Sequence, residues 1–142
     1  MKVTMLLADA AQVVDNKLYV LGGGWSVTGP DPMPSAIALK LDVPWDEAGK
    51  DHVWELALLD QDGVPVFLGD GDGAQSVVIR NEFHLERPEG LPPGTPLELS
   101  MALNLAPLPL VPGQRYVWQL TIDGQSHADW QVAFTIRPQA AV

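Results

Sequence analysis

Three histidines are the residues best suited to acid–base or metal chemistry in this chain. His52, His84 and His127 lie far apart, and no His-x-His or His-x₃-His pair is present to begin a zinc site. There is no cysteine for a thiol nucleophile, and no Gly-x-Ser-x-Gly elbow for a hydrolase triad. Because the histidines fall at edges or outward positions of the predicted strands, we interpret them as solvated. The sequence therefore predicts no catalytic residue, no metal ligand and no enzyme activity.

Alternating aspartates in two acidic turns suggest calcium ligands. Asp60 and Asp62 lie in DQDG, and Asp70 and Asp72 lie in GDGDG. Neither turn has the acidic spacing of an EF-hand loop with a glutamate at position twelve. DQDG is better explained as a hairpin turn, whereas Asp70 and Asp72 stay open as a weak calcium site. We predict no cofactor.

The triple glycine Gly22-Gly23-Gly24 resembles the start of a phosphate loop. Such a loop needs a helix N-terminus or a Gly-Lys-Ser/Thr ending, and neither follows. The chain instead continues as Trp25-Ser26-Val27-Thr28, which favours extended structure. We therefore interpret the glycines as a bulge or a close backbone approach beside a bulky tryptophan.

Five tryptophans divide into two groups. Trp54, Trp118 and Trp130 fall on apolar strand faces and are predicted in the core. Trp25 and Trp45 lie in loops rich in glycine and proline, where they could anchor the loop or form an aromatic platform for a sugar or a partner. With Gly23 and Gly24, they are the candidate binding residues.

Period-two alternation of apolar and polar residues dominates the chain and predicts β-strands. The alternating segments are 36–43, 53–59, 77–87, 97–105, 115–122 and 130–137, and further candidates are 2–11, 17–21 and 64–68. Asp15-Asn16, Asp62-Gly63 and Asp123-Gly124 have the chemistry of tight hairpin turns. The only helical signal is one turn at 44–48.

Eight or nine antiparallel strands with one apolar face each must bury those faces on one another. The predicted fold is an all-β, immunoglobulin-like two-sheet antiparallel β-sandwich, with residues 1–142 as one domain. Tyr116 begins a strand just after the Pro112-Gly113 turn, which is typical of a tyrosine corner whose hydroxyl bonds to upstream backbone.

Charge and cysteine content limit the partners and the compartment. The net charge is −10, and the eight Lys and Arg residues are scattered singly, so we expect no nucleic-acid or membrane binding. The apolar run Val3 to Ala8 ends at Asp9 and is too short for a signal peptide. With no cysteine for a disulfide, these features favour a cytoplasmic location.

The first hairpin is apolar on both faces. Residues 3–11 lack a polar side, and Tyr19 and Leu21 oppose Leu18 and Val20. A strand of this kind must be covered twice. Either the proline-rich segment 22–35 covers it, or a second copy does so in a symmetric homodimer.

Three stretches of the chain are similar to a known group of proteins. They are MLLADAAQVVDNKLYVLGGGW at 5–25, DVPW at 42–45 and WQLTIDG at 118–124. They resemble a family of small, uncharacterised bacterial proteins, a domain of unknown function. The resemblance implies a stand-alone β-sandwich and brings no established activity.

The sequence favours a non-enzymatic binding or assembly module with an unidentified protein partner. The first alternative is a carbohydrate-binding sandwich that uses Trp25 and Trp45, with calcium at Asp70 and Asp72. A hydrolase is the third candidate.

Overall fold

Twelve strands and two short 3-10 turns make up the fold of residues 1–140. These are the residues that the structure, a computed structural model, describes. The strands are β1 (Lys2–Ala8), β2 (Ala10–Val14), β3 (Lys17–Leu21), β4 (Val27–Thr28), β5 (Ser35–Val43), β6 (Asp51–Asp60), β7 (Phe67–Leu68), β8 (Gln75–Ser76), β9 (Val78–His84), β10 (Leu97–Leu105), β11 (Arg115–Ile122) and β12 (Gln131–Ile136). The 3-10 turns are Trp45–Glu47 and Gly71–Gly73. In the described residues, no helix has the length and apolar character needed to cross a bilayer.

The strands form two larger sheets and two small hairpins. The three-stranded sheet has the order β1-β5-β10, and the five-stranded sheet has the order β4-β12-β11-β6-β9. All neighbours pair antiparallel except β4 and β12, which are parallel. The pairs β2-β3 and β7-β8 form the small hairpins. The prediction of an all-β chain of antiparallel strands is confirmed.

One hydrophobic core contains side chains from both larger sheets. Alternate residues of β5, from Ile37 to Val43, are fully buried together with Leu56, Trp118 and Leu120 of the five-stranded sheet. This follows from the strand repeat, because side chains two apart share a face. The predicted inward positions of Trp54, Trp118 and Trp130 are confirmed.

The predicted strand 2–11 is wrong as one element, because the chain turns at Asp9. The Asp9 N–H lies 3.0 Å from the Leu21 carbonyl and 3.2 Å from the Gly22 carbonyl. Before this point β1 pairs with β5, and after it β2 pairs with β3. The predicted Asp15-Asn16 turn joins β2 to β3, and both of its residues have positive φ, 51° and 57°. A single apolar run therefore serves two sheets.

The hairpin β2-β3 covers the outer face of the three-stranded sheet. Ala8, Ala11, Ala36 and Ala38 form a second buried cluster there, and their small side chains allow the layers to approach closely. The sequence analysis proposed that either the segment 22–35 or a second copy covers the first hairpin. It did not predict that the hairpin itself packs on the three-stranded sheet.

Two asparagine amides fasten the hairpin to strand β10. Asn16 donates to the Glu98 carbonyl (2.7 Å) and accepts from the Ser100 N–H (2.9 Å). Asn104 bonds both the N–H and the carbonyl of Ala11, at 3.2 and 2.8 Å. These amides satisfy backbone groups that strand pairing leaves free.

The predicted local turns are present with one difference. The Tyr116 hydroxyl accepts from the Val111 N–H at 3.0 Å, which confirms the tyrosine corner. The 44–48 turn is confirmed as the 3-10 turn Trp45–Glu47. The Asp123-Gly124 turn is tight, but β12 begins only at Gln131, so an irregular segment follows it.

Candidate binding site

A cleft opens between the two larger sheets, beside β1 and β12. Its volume is about 340 Å³, within the range of small-molecule sites in proteins. Its floor is formed by Leu7, Trp118, Phe134 and Ile136, which are buried inward positions of β1, β11 and β12. The floor is therefore continuous with the hydrophobic core.

Trp25 forms one wall of the cleft and packs against its floor. Its ring meets Phe134 edge-on, with centroids 6.3 Å apart and an interplanar angle of 88°. This is a favourable aromatic geometry. The indole Nε1–H is buried and has no hydrogen-bond partner within the described part of the chain.

The preceding glycines fix where Trp25 lies. The Gly24 N–H donates to the Leu7 carbonyl at 2.7 Å, and Gly24 has a φ of 92°, which favours glycine. A Cβ on Gly23 would lie 2.6 Å from Val20 and 2.9 Å from Leu6. The predicted close backbone approach is therefore confirmed at Gly23. Of the predicted binding residues Gly23, Gly24 and Trp25, only Trp25 is among the residues that line the cleft.

The rim of the cleft is formed by loops. Residues Thr28 to Ser35 supply one side, including Pro30, Asp31, Pro32, Met33 and Pro34. Leu108 and Leu110 come from the loop before β11, and Asp9 from the turn after β1. Among the described residues that line the cleft, the two aspartates are the only charged ones.

Trp45 lies elsewhere. It follows the end of β5, whereas Trp25 packs near its beginning, and a nine-residue strand spans about 26 Å. The Arg87 guanidinium lies 5.4 Å from the Trp45 ring centroid, and its Nε donates to the Trp45 carbonyl at 3.0 Å. Trp45 is thus held as a loop anchor, and the two loop tryptophans do not share a surface.

His52 is not solvated as the sequence interpretation had it, because its side chain is only 3% exposed. Its Nδ1 lies 2.6 Å from Asp123 Oδ2, and its Nε2 lies 2.7 Å from the Glu47 carbonyl. The ring stacks on Phe83 with centroids 4.9 Å apart. The alternation of the strand could have predicted this burial, because His52 is two residues before Trp54 and so shares its inward face.

Hydrogen bonds favour the charged forms of both partners in this pair. Burial by itself would lower the pKa of His52, but the bonds to Asp123 and to the Glu47 carbonyl outweigh it and raise the pKa above 6.5. The hydrogen bond from His52 lowers the pKa of Asp123 below 3.8. The arrangement ties the start of β6 to the turn after β11, which is a structural role.

The other two histidines are exposed, as predicted. His84 lies between Asp51 (2.8 Å) and Glu86 (2.6 Å), and these hydrogen bonds raise its pKa. The His127 ring packs against Trp130, with centroids 4.5 Å apart. None of the three histidines lines the cleft.

The acidic turn at Asp70 and Asp72 is exposed on the 3-10 turn Gly71–Gly73 and its flanks. Within residues 1–140, no three His, Cys, Asp or Glu side chains are grouped so that they could hold a metal ion.

Comparison with known proteins identifies one family. The model described as Family of unknown function (DUF6941) matches residues 3–135. The chain belongs to this family. No curated protein and no solved structure matches the chain. The resemblance to a family without an assigned activity is confirmed, and the function is unknown.

The family match covers nearly all of the cleft. Trp25, the proline-rich rim and both rim aspartates lie within 3–135, and of the floor residues only Ile136 lies outside. All lining residues of the cleft except Ile136 thus belong to the part of the chain that matches the family.

Proposed function

We propose that this protein is a non-enzymatic binding module and that the cleft beside Trp25 binds an apolar group. The observation that carries the proposal is the cleft floor, where core side chains such as Trp118 and Phe134 line an opening between the sheets. An apolar ligand seated there would cover the half-buried Trp25 and Leu108 and the exposed Met33, and so remove apolar surface from water without requiring the core to rearrange.

The walls of the cleft are held in place before any ligand arrives. Prolines at 30, 32 and 34 restrict the backbone of the rim. Close packing at Gly23 and the hydrogen bond from the Gly24 N–H to the Leu7 carbonyl hold the backbone that precedes Trp25. Rigid walls favour binding because little conformational entropy is lost when the ligand enters.

Two further features support the rest of the proposal. An immunoglobulin-like two-sheet sandwich fits the tyrosine corner at Tyr116 and the core shared by the larger sheets. A non-enzymatic role fits the described cleft lining, which has neither a histidine nor a nucleophile paired with a base.

NMR titration with 2-phenylethanol, a neutral aromatic probe, tests the binding site. The five indole N–H resonances report on the five tryptophans, and Trp25→Phe assigns the resonance of Trp25. We expect the Trp25 resonance to shift and saturate with a Kd of about 1 mM, a modest affinity for so small a probe. Trp45→Phe is the matched control and should leave binding unchanged. The absence of a saturable Trp25 shift, or a shift confined to Trp45, would contradict the proposal.

We also propose self-association through the outer face of the β2-β3 hairpin. Val14, Tyr19 and Leu21 lie on this face and are 46%, 51% and 70% exposed. A second copy could cover them in an isologous contact. Leu6, in contrast, packs on the alanine cluster beneath the hairpin.

Light scattering at micromolar concentration tests this association. A dimer is expected at twice 15.3 kDa, and Leu21→Glu should convert it to monomer. Leu91→Glu, at an exposed leucine in a loop distant in sequence, is the control that should leave the dimer intact. A wild-type species of 15.3 kDa would contradict the association.

A further inference from the structure

Prolines and aspartates supply hydrogen-bond acceptors at the rim of the cleft, beside the hydroxyl groups of Thr28 and Ser35, which both donate and accept. Pro30, Pro32 and Pro34 each keep a backbone carbonyl but have no N–H to donate. Asp9 and Asp31, when ionised, offer carboxylate oxygens that only accept. The described lining residues include no Lys, Arg or His, and the Arg137 guanidinium beside the rim donates to the Gly29 carbonyl at 3.3 Å. A ligand that brings its own N–H donors would therefore complement this rim.

Charge leads to the same class of ligand. Both charged residues of the described lining are carboxylates, and the whole chain carries a net charge of −10. An anionic ligand would be repelled at the rim, and a cation would be attracted there.

We infer that the cleft binds a small organic ammonium ion, and this inference rests on the proposed binding site. The apolar body of the ligand lies on the floor formed by Trp118 and Phe134. Its ammonium group lies at the rim, where it donates to the carboxylates of Asp9 and Asp31 and to proline carbonyls. The cavity of about 340 Å³ suits a molecule of this size.

Three probes with similar apolar bodies separate the contribution of charge from that of apolar contact. They are 2-phenylethylamine, which is an ammonium ion at neutral pH, the neutral 2-phenylethanol and the anionic 3-phenylpropionate. Each is titrated into the full chain, and binding is followed at the Trp25 indole resonance. We expect the amine to bind most tightly and the acid most weakly, with the difference narrowing as salt is added.

Charge-neutralising variants locate the source of the preference. Asp9→Asn and Asp31→Asn should each weaken amine binding by about two- to fivefold, the range for exposed ion pairs, and leave the alcohol unaffected. Asp46→Asn removes the same charge at an exposed position beyond the other end of β5, and it should change nothing.

The outcomes distinguish the preference for an ammonium ion from the existence of the apolar binding site. If the alcohol binds as tightly as the amine, the ammonium inference is overturned and the apolar binding site stands. If Asp46→Asn weakens amine binding as much as Asp9→Asn and Asp31→Asn do, the attraction comes from overall charge, and the inference is also overturned. If no probe shifts the Trp25 resonance, both the inference and the proposed function fail.

Discussion

Replacing Asp123 with asparagine should destabilise the protein at mildly acidic pH and much less at alkaline pH. Asparagine tolerates the positive φ of 51° at this position, and it can still accept from the Val53 N–H, now 2.9 Å from Asp123 Oδ1. The substitution therefore changes mainly the atom that faces His52. Protonated His52 donates from both ring nitrogens, to Asp123 and to the Glu47 carbonyl.

The size of the loss in stability follows from replacing a charged hydrogen-bond acceptor of His52 with a neutral one. Hydrogen bonds to charged groups contribute about 1.5–3 kcal/mol, and neutral ones about 0.5–1.5 kcal/mol. With His52 only 3% exposed, we expect the free energy of unfolding to fall by about 1–1.5 kcal/mol near pH 5.5. For a chain of this length, that corresponds to a melting temperature lower by about 2–6 °C.

The pH dependence of this effect has a definite sign. The folded pKa of His52 is raised, so its stabilisation is complete below about 6.5 and is lost as the pH rises through the folded pKa. The pKa of Asp123 is lowered, so its stabilisation is present above about 3.8 and is lost as the pH falls through the folded pKa. Neutral His52 has only one N–H for two acceptors, whereas the asparagine amide of the variant supplies a donor of its own. The two chains should therefore approach equal stability at about pH 9.

Urea unfolding of both chains at about pH 5.5 and about pH 9 measures the difference. Because the pKa of His84 is also raised, the comparison is made in a His84→Gln background, which removes that second titration. A loss of equal size at both pH values, or no loss at the lower one, would refute the assignment of a charged His52–Asp123 pair.

Three further outcomes are expected. Tyr116→Phe should lower the free energy of unfolding by about 1–2 kcal/mol in urea titration, because the Val111 N–H loses its partner, and an unchanged midpoint would argue against a stabilising corner. Gly23→Ala should lower the free energy of unfolding by about 1–3 kcal/mol, because the added methyl group overpacks the site, and the melting temperature should fall by several degrees. Gly73→Ala is the control and should have little effect, because a Cβ there would meet nothing within 4 Å. Adding EDTA or millimolar calcium should leave the melting temperature unchanged, and a calcium-dependent rise abolished by Asp72→Ala would instead indicate a metal site.

The candidate site could be predicted only in part from local sequence. Glycines before a large aromatic residue indicate a close approach, and Gly23 packs as that pattern predicts, whereas a Cβ on Gly24 would meet nothing within 4 Å. The sequence could not show whether Trp25 and Trp45 lie on one surface, because the two loops that hold them have similar compositions. Their separation depends on which end of β5 each loop adjoins, and strand pairing over the whole chain fixes that.

The sequence by itself determined the strands, their inward faces and the tight turns. These features depend on neighbours a few residues apart, through the two-residue repeat of a strand and the positive φ that Asp15, Asn16 and Gly124 accept. Alternation around Trp54 also places His52 inward. Its hydrogen-bond partner Asp123 is 71 residues away, and local sequence gives no measure of such a distance.

Only the tertiary structure decided how the first apolar run is divided and what covers it. The run 2–11 reads as one strand, yet the chain turns at Asp9, because its N–H bonds to carbonyls of Leu21 and Gly22. The cover comes from the hairpin, held by the amides of Asn16 and Asn104 that join it to strand β10 across about 80 to 90 residues of sequence. The cleft beside Trp25 has the same origin. Its floor, wall and rim come from segments distant in the chain, and they meet only when the two larger sheets pack together.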